Sequence, residues 1–468
     1  MGNVMNNKYR NLLKDTVIFA IGGIGSKLIL FFLVPLYTNY LSTEEYGIAD
    51  LIFTISQFII PFVSLVVFDA VVRFALSKSE KKEDVLLCSL VVWGIGSLVT
   101  VLAVPLVGLY APIAKWKWHL CVYVIINIFM NIELNYIKAK EQNKLYATIS
   151  IVQTLTMALS NILFIVVIPL GIDGYVFANI IGNLIAALGI FVFGKILRDI
   201  RRAKFSSSLL KRMLVFSAPL VLNNVSWWAI HSANKIIVEL MLGASILGIY
   251  TVATKIPSLI NVLISIFQQS WGISSVKEIE SSNDSTFYSN IFDAFSLIAF
   301  SMSVGLILVI KPLMTVYVGE SFVEAWKYIP LLLASATFSA ISSYFVSLYS
   351  ALKKSLNNMI TTLIGAIANV VVSIVLVNYI GLWGAIWGTF VAYFVLGIIR
   401  MIDATRFIKM KIDVGRFIIN SIILITQAVL VSLEIKIYLV SAIAVLLFVV
   451  VNVKFLKSLF GKLKGSKS

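Results

Sequence analysis

Residues 85–109 read VLLCSLVVWGIGSLVTVLAVPLVGL, twenty-five positions without a charged side chain. As an α-helix this stretch is about 37 Å long, enough to cross the ~30 Å hydrocarbon core of a bilayer. The same reading, carried outward, finds runs of this kind at 15–38, 46–72, 119–137, 145–169, 174–195, 213–241, 246–274, 289–311, 326–350, 355–379, 382–400, 414–433 and 437–453. With the first, that makes about fourteen transmembrane helices and an all-α, polytopic membrane protein. The runs at 213–241 and 246–274 exceed the bilayer thickness, so tilt or ends reaching into water are expected.

Composition agrees. Of 468 residues, 60% are hydrophobic and 13% charged, against ~25% charged in soluble chains. Lipid must therefore be the outer solvent, and length alone is a poor guide to domain count. The 12% of aromatic residues suits rings at the membrane interfaces. The first run passes into polar Thr38-Asn39 and Ser42-Thr43-Glu44-Glu45 with no small-x-small cleavage site, so it reads as a retained helix.

The formal charge of +16 in a soluble chain would suggest nucleic acid. Here thirty lysines and arginines fall at the termini and in every second loop, whereas the alternate loops hold only Lys115, Lys117, Lys311, Lys327 and Lys436. Those alternate loops carry Glu44, Glu45, Asp173, Glu320, Glu324 and Glu434 instead. The positive-inside rule then places both termini in the cytoplasm and leaves no nucleic-acid partner to invoke. The longest basic linker, 195–212, divides two groups of six helices. The expected organisation is an amino-terminal lobe over 1–204, a second lobe over 205–411, and two extra helices with a basic tail over 412–468.

The two lobes share motifs. Leu41 is followed after five residues by Gly47-Ile48, and Leu242 after five by Gly248-Ile249. Gly171-Ile172-Asp173-Gly174 opens helix six, and Gly381-Leu382-Trp383-Gly384 opens helix twelve. An even number of helices separates the copies, so the repeat is parallel, about an axis along the membrane normal.

Catalytic constellations are absent, which points away from an enzyme. Gly22-Gly23-Ile24-Gly25-Ser26-Lys27 lacks the spacing and the preceding strand of a phosphate-binding loop, and its glycines suit close helix packing. Cys88, Cys121 and two histidines make no metal site, and Cys88 and Cys121 fall too far apart for a disulfide. Neither metal nor cofactor is implied.

Ionisable groups at membrane depth are the informative ones, since each costs about 2.5–3.5 kcal/mol at a helix centre on insertion scales. Lys27, Lys235 and Lys255 lie within helices one, seven and eight, and Arg73 lies near the inner end of helix two. Lys235 stands four residues before Glu239, and Arg73 four after Asp69, spacings that allow local pairing. Lys27 and Lys255 have no acid at such spacing. Together these cations are candidates for holding an anionic substrate between the lobes. His231 stands one turn before Lys235, beside Trp227 and Trp228. Asn223, Asn224, Gln268 and Gln269 line a cavity or join helices. Glu133 and Asp50 are candidates for carrying a coupling ion or, equally, for a salt bridge.

Val34-Pro35-Leu36-Tyr37-Thr38-Asn39-Tyr40-Leu41, then Glu44-Glu45-Tyr46-Gly47, resembles the end of helix one in Wzx-type polysaccharide flippases. So does Lys235-Ile236-Ile237 leading to Leu242-Gly243 and Gly248-Ile249-Tyr250-Thr251-Val252-Ala253, as do the Gly171 and Gly381 turns. Those proteins belong to the multidrug/oligosaccharidyl-lipid/polysaccharide exporter superfamily. The resemblance implies two six-helix lobes plus two carboxy-terminal helices. It also implies movement of undecaprenyl-diphosphate-linked oligosaccharide to the outer leaflet by alternating access. Membrane lipids, a polysaccharide polymerase and other assembly proteins would be its company. Where the family often has Asp-Arg, this chain has Asn234-Lys235, which removes an acid. A lipid II flippase and a multidrug extruder of the same superfamily are the alternatives, although the extruder's acid in helix one is replaced by Lys27. A membrane-embedded glycosyltransferase would need larger outer loops.

Reporter fusions test the topology. Fusions after residues 203 and 468 should report cytoplasm and one at 322 the exterior. An external carboxy terminus would remove the fourteen-helix arrangement.

Overall fold

The computed structural model describes residues 29, 31–77, 79–281, 285–352, 354–408 and 410–465. Among them every regular element is helical. Twelve helices are long and apolar enough to cross a membrane, and a shorter apolar one covers Ile437–Val453. Of the first expected span only its end is described, as α1 (Val34–Tyr40). The other thirteen expected spans each meet a helix.

Local chemistry sets the ends. α2 (Thr43–Ser64) starts at a capping box: Ser42 Oγ accepts from the Glu45 amide at 3.2 Å, and Glu45 accepts from the Ser42 amide at 2.9 Å. The second span was expected to run unbroken over 46–72. Instead it breaks at Leu65 and Val66, with φ of 48° and 54°, and resumes as α3 (Val67–Ala75). Ser64 covers the break: its hydroxyl donates to Ile60 O at 2.7 Å and accepts from the Val66 amide at 3.1 Å. α4 (Lys82–Val107) follows, then a 3-10 turn (Ala111–Trp116) and α5 (Lys117–Ala139). α6 (Asn143–Asn161) ends in a π-helical turn (Ile162–Val167), where the Phe164 carbonyl lies against Gly174 of α7 (Ile172–Phe193). The basic linker carries α8 (Ile196–Arg202) and leads into α9 (Ser207–Leu242).

α10 (Ala244–Ser281), α11 (Ser285–Tyr317), α12 (Ile329–Ala351), α13 (Ser355–Ile380), α14 (Leu382–Thr405), α15 (Val414–Ser432) and α16 (Ile437–Gly465) complete the chain. Two compact units result, Met1–Trp228 with Ala244–Gly248, and Ala229–Gly243 with Ile249–Ser468. In the second unit α12 is buried along nearly its whole length. Its Ser335, Thr337, Ser339, Ser342 and Ser347 let neighbouring helices approach closely. Phe267, Trp271, Phe295 and Tyr344 from α10, α11 and α12 stack beside it, with Phe267 and Phe295 centroids 3.9 Å apart.

Ion pairs respect the two faces read from the basic loops. Lys140–Asp199 at 2.7 Å, Arg212–Glu80 at 2.7 Å and Arg416–Asp293 at 2.8 Å each join residues of the basic face. Lys327–Glu434 at 3.0 Å and His119–Asp173 at 3.7 Å join residues of the other. Glu434 and Glu324 beside Lys327 push its ammonium pKa above the ordinary lysine value. Lys82 and Lys140 donate to the carbonyls of Ala139 and Gly194 at helix ends, a natural place for cations. Cys88 and Cys121 are free and buried.

The sequence repeat is also a contact inside the first unit. A Cβ on Gly47 would collide with the Ala244 carbonyl oxygen, and one on Gly248 with the Thr43 carbonyl oxygen. Adding 201 to 43 and 47 gives 244 and 248, so the two copies exchange equivalent contacts. Thr43 Oγ1 and Ser245 Oγ share a hydrogen bond at 2.7 Å. Gly248→Ala should lower the unfolding midpoint in detergent, the overpacking costing about 1–3 kcal/mol. Gly94→Ala, where nothing lies within 4 Å of the new Cβ, should hold or raise it. Equal midpoints for the two variants would show that the close approach carries no stability.

Candidate substrate and ion-coupling residues

In the first unit, Glu133 sits on α5, fully buried, with no hydrogen-bond partner on either carboxylate oxygen. Desolvation of an unpaired carboxylate is costly, so it is the most conspicuous polar group of this unit. Asp50 on α2 is 6% exposed. Tyr175 belongs to an aromatic cluster in which Tyr37 lies 4.7 Å from Tyr175, and Phe53 lies 4.7 Å from Tyr123. Arg73 is exposed on α3 with its guanidinium 4.4 Å over the Phe216 ring. The Asp69–Arg73 pair that the spacing allowed does not form, although both lie on α3; the guanidinium turns to Phe216 of α9 instead. Asn224 donates back to Leu220 O at 3.0 Å within α9, a local bond. Trp228 closes the unit, its indole donating to Thr54 O at 3.0 Å and its ring 4.6 Å from Phe58. Lys27 lies outside the described residues.

In the second unit, Lys235 and Lys255 are half-buried on α9 and α10. Their separation from the first unit's residues into another compact body leaves convergence of all the cations an expectation from sequence. His231 is exposed and has Nδ1 2.8 Å from the Tyr393 hydroxyl. Gln268 donates to Ser343 O at 3.2 Å, tying α10 to α12. Glu239 is 7% exposed, with Oε2 lacking a hydrogen-bond partner.

Two arrangements were not foreseen. Asn234, noted only as a missing acid, is 2% exposed and places Nδ2 3.0 Å from Asn369 Oδ1, 3.0 Å from Ala385 O and 2.8 Å from Thr389 Oγ1. Asn369 in turn donates to the Ala229 and Ile230 carbonyls at 3.3 and 3.2 Å. The position thus clamps α9 to α13 and α14. Asn369, alone in the apolar middle of its run, was the available signal. Arg400 was counted among the basic loop residues. It is instead fully buried on α14. Its Nε donates to Thr361 Oγ1 at 3.1 Å, Nη1 to Ser342 Oγ at 2.8 Å, and Nη2 to Asn358 Oδ1 at 2.8 Å and Thr362 Oγ1 at 2.7 Å. With the Ser342 carbonyl at 3.5 Å, every donor has an oxygen and none of those oxygens is a carboxylate. The guanidinium joins α12, α13 and α14.

Arg400→Met should therefore destabilise strongly. Ser342 Oγ and Asn358 Oδ1 lose their donor, at about 1–3 kcal/mol for each buried group left unsatisfied. A wild-type unfolding midpoint for that variant would show that the cage contributes nothing. Among the described residues no cluster of histidine, cysteine or acidic groups fits a metal ion.

Comparison with known proteins places these features. Residues 12–272 match the family described as polysaccharide biosynthesis protein. A putative protein of the lsg locus of Haemophilus influenzae is 21% identical over 256 residues. That alignment takes in 54% of this chain and 63% of the relative, so the chain spans less than two thirds of the curated protein it matches. Among solved structures, the lipid II flippase MurJ in an inward closed conformation superposes with a TM-score of 0.70 at 17% identity, over 95% of this chain and all of that one. An inward-facing multidrug resistance transporter of the MATE family, in the MOP superfamily, gives 0.63 at 15% identity, over 81% and 98%. Both likenesses are of fold.

Proposed function

This chain belongs to the polysaccharide biosynthesis protein family, and from that membership we propose that it flips an undecaprenyl-diphosphate-linked oligosaccharide repeat unit across the bacterial cytoplasmic membrane. The family match over residues 12–272 carries the reading. That stretch includes Lys27, Lys235 and Lys255, the cations the reading assigns to the pyrophosphate. Arg73, His231, Asn224 and Gln268 would line the path of the headgroup and sugar. Flipping makes and breaks no covalent bond, so a chain without a catalytic set suits the task. The parallel repeat supports two lobes rocking about a central site. Basic cytoplasmic loops would draw the anionic headgroup, each lysine or arginine contributing about 1 kcal/mol at such a surface. An inside-negative potential then favours outward movement by about 2.3 kcal/mol per charge per 100 mV.

Glu133 takes the coupling role in this proposal. Ionised and unpaired at membrane depth it would cost about 2.5–3.5 kcal/mol, so it holds a proton while buried and releases it when a conformational change admits water. Asp50, buried on α2, is the second candidate. A lipid II-type substrate presents the same lipid-diphosphate chemistry. A cationic drug is disfavoured by the lysines at membrane depth.

Export of lipid-linked substrate into proteoliposomes tests the reading. Lys255→Ala should slow it at least about tenfold, the worth of ~1.4 kcal/mol, and Lys255→Arg should slow it less. Glu133→Gln should transport without responding to an imposed pH gradient. Full export by the alanine variant removes the pyrophosphate site, and an unchanged gradient response in Glu133→Gln removes the proton role.

A further inference from the structure

We propose that α13 and α14 form a groove that binds an anionic phospholipid, a site separate from the substrate residues above. Its placement in the cytoplasmic leaflet rests on the proposed topology. The cavity measures about 380 Å³, within the ~300–1,000 Å³ common for small-molecule sites. Ile360 and Ile364 of α13 and Ile399 and Ile402 of α14 form its walls. Ile360, Ile364 and Ile402 are 46%, 40% and 52% exposed, so their free faces meet acyl chains in a membrane.

One end of the groove is polar. Asn357, Thr361, Asp403 and Arg406 line it. Asp403 Oδ2 accepts from Tyr349 Oη at 2.8 Å and from Asn357 Nδ2 at 2.9 Å, which fixes the carboxylate in place. Arg406 is exposed and forms no ion pair among the described residues. Behind Thr361 lies the caged Arg400, whose charge meets only neutral oxygens. Lys354, three residues before Asn357, has Nζ 4.9 Å over the ring of Phe407, the residue after Arg406. Arg406 is thus the cation lining this end, beside a carboxylate already held by two donors, on an apolar trough.

That combination selects its occupant. A free phosphate ion would leave the isoleucine walls unused. A zwitterionic headgroup would bring its own cation toward Arg406. An anionic phospholipid uses both parts, with phosphate at Arg406 and the first carbons of a chain along the isoleucines. From Asn357 to Ile364 the groove follows two helical turns, about 10 Å at 1.5 Å per residue, so recognition rests on the headgroup and the first carbons of the chain.

Native mass spectrometry of the full-length protein, released from detergent after incubation with equal amounts of phosphatidylglycerol and phosphatidylcholine of matched chains, tests the site. Phosphatidylglycerol should be retained about fivefold more, as one lysine or arginine at a lipid surface would give. Arg406→Ala should remove that preference, Arg406→Lys should keep most of it, and Ile402→Trp should reduce retention by filling the trough. Unfolding midpoints without added lipid show whether each variant is folded. Equal retention of the two lipids by the wild type overturns the proposal, as does undiminished phosphatidylglycerol binding in both Arg406→Ala and Ile402→Trp. Undecaprenyl phosphate displacing phosphatidylglycerol from the wild type but not from Ile402→Trp also overturns it, assigning the groove to the transported lipid. The readout needs no transport, so failure of the flippase reading would leave its result standing.

Discussion

A polar group facing hydrocarbon has no water to bond to, and leaving it unpartnered costs several kcal/mol. Helices satisfy the backbone, so the constraint falls on side chains inside apolar runs. Serine and threonine solve it locally by donating to a carbonyl one turn back, as Thr54, Ser56 and Ser89 do. Asparagine and arginine carry more donors and reach other helices. Asn234 with Asn369, and Arg400 with Ser342, Asn358, Thr361 and Thr362, therefore do much of the joining among α9, α12, α13 and α14. Hydrophobic burial drives little helix association in lipid, so these bonds and the close approaches at glycine fix which helices meet.

The helical architecture was legible because length and apolar composition alone mark a span. Thirteen of the expected spans meet observed helices, although Ser207–Leu242, Ala244–Ser281, Ser285–Tyr317 and Ile437–Gly465 each run at least six residues past an expected end. What was hidden depends on tertiary partners. The break at Leu65–Val66 falls one turn after Pro61, where the Val63 carbonyl lies against Gly96 of α4, and the Ser64 hydroxyl takes up the Val66 amide. The π-helical turn after α6 comes from a packing contact with Gly174, a residue on another helix. Arg400 looked like a loop cation because it stands at the end of an apolar run. Only three-dimensional proximity to Ser342 and Asn358 reveals that it is a buried cross-link.

The repeated glycines show how a weak sequence signal acquires physical content. A spacing of Leu, five residues and Gly-Ile recurs in many loops by chance. Here Gly47 admits the carbonyl of Ala244 and Gly248 that of Thr43, in each case the residue one turn before the opposite glycine. A side chain at either position would separate the backbones. The spacing within each motif is thus a steric requirement: the glycine must fall one helical turn after the residue whose carbonyl it does not itself receive.

Satisfaction of polar groups also separates structural charges from working ones. Arg400 is caged by oxygens at every donor, an arrangement that gains nothing from moving and would lose several bonds if it did. Glu133 is the opposite case, a buried acid with both oxygens unpartnered in an otherwise well-packed helix. Stability alone gives no reason to keep it, since an apolar residue of similar size would pack there without a desolvation cost. A carboxyl that is unfavourable in one conformation becomes useful if another conformation wets it, because the difference between the two settings then couples proton binding to the change in shape. Within the proposed flipping cycle, the physical argument thus favours Glu133, rather than the better-bonded Arg400 or Asn234, as the group for the proposed proton coupling.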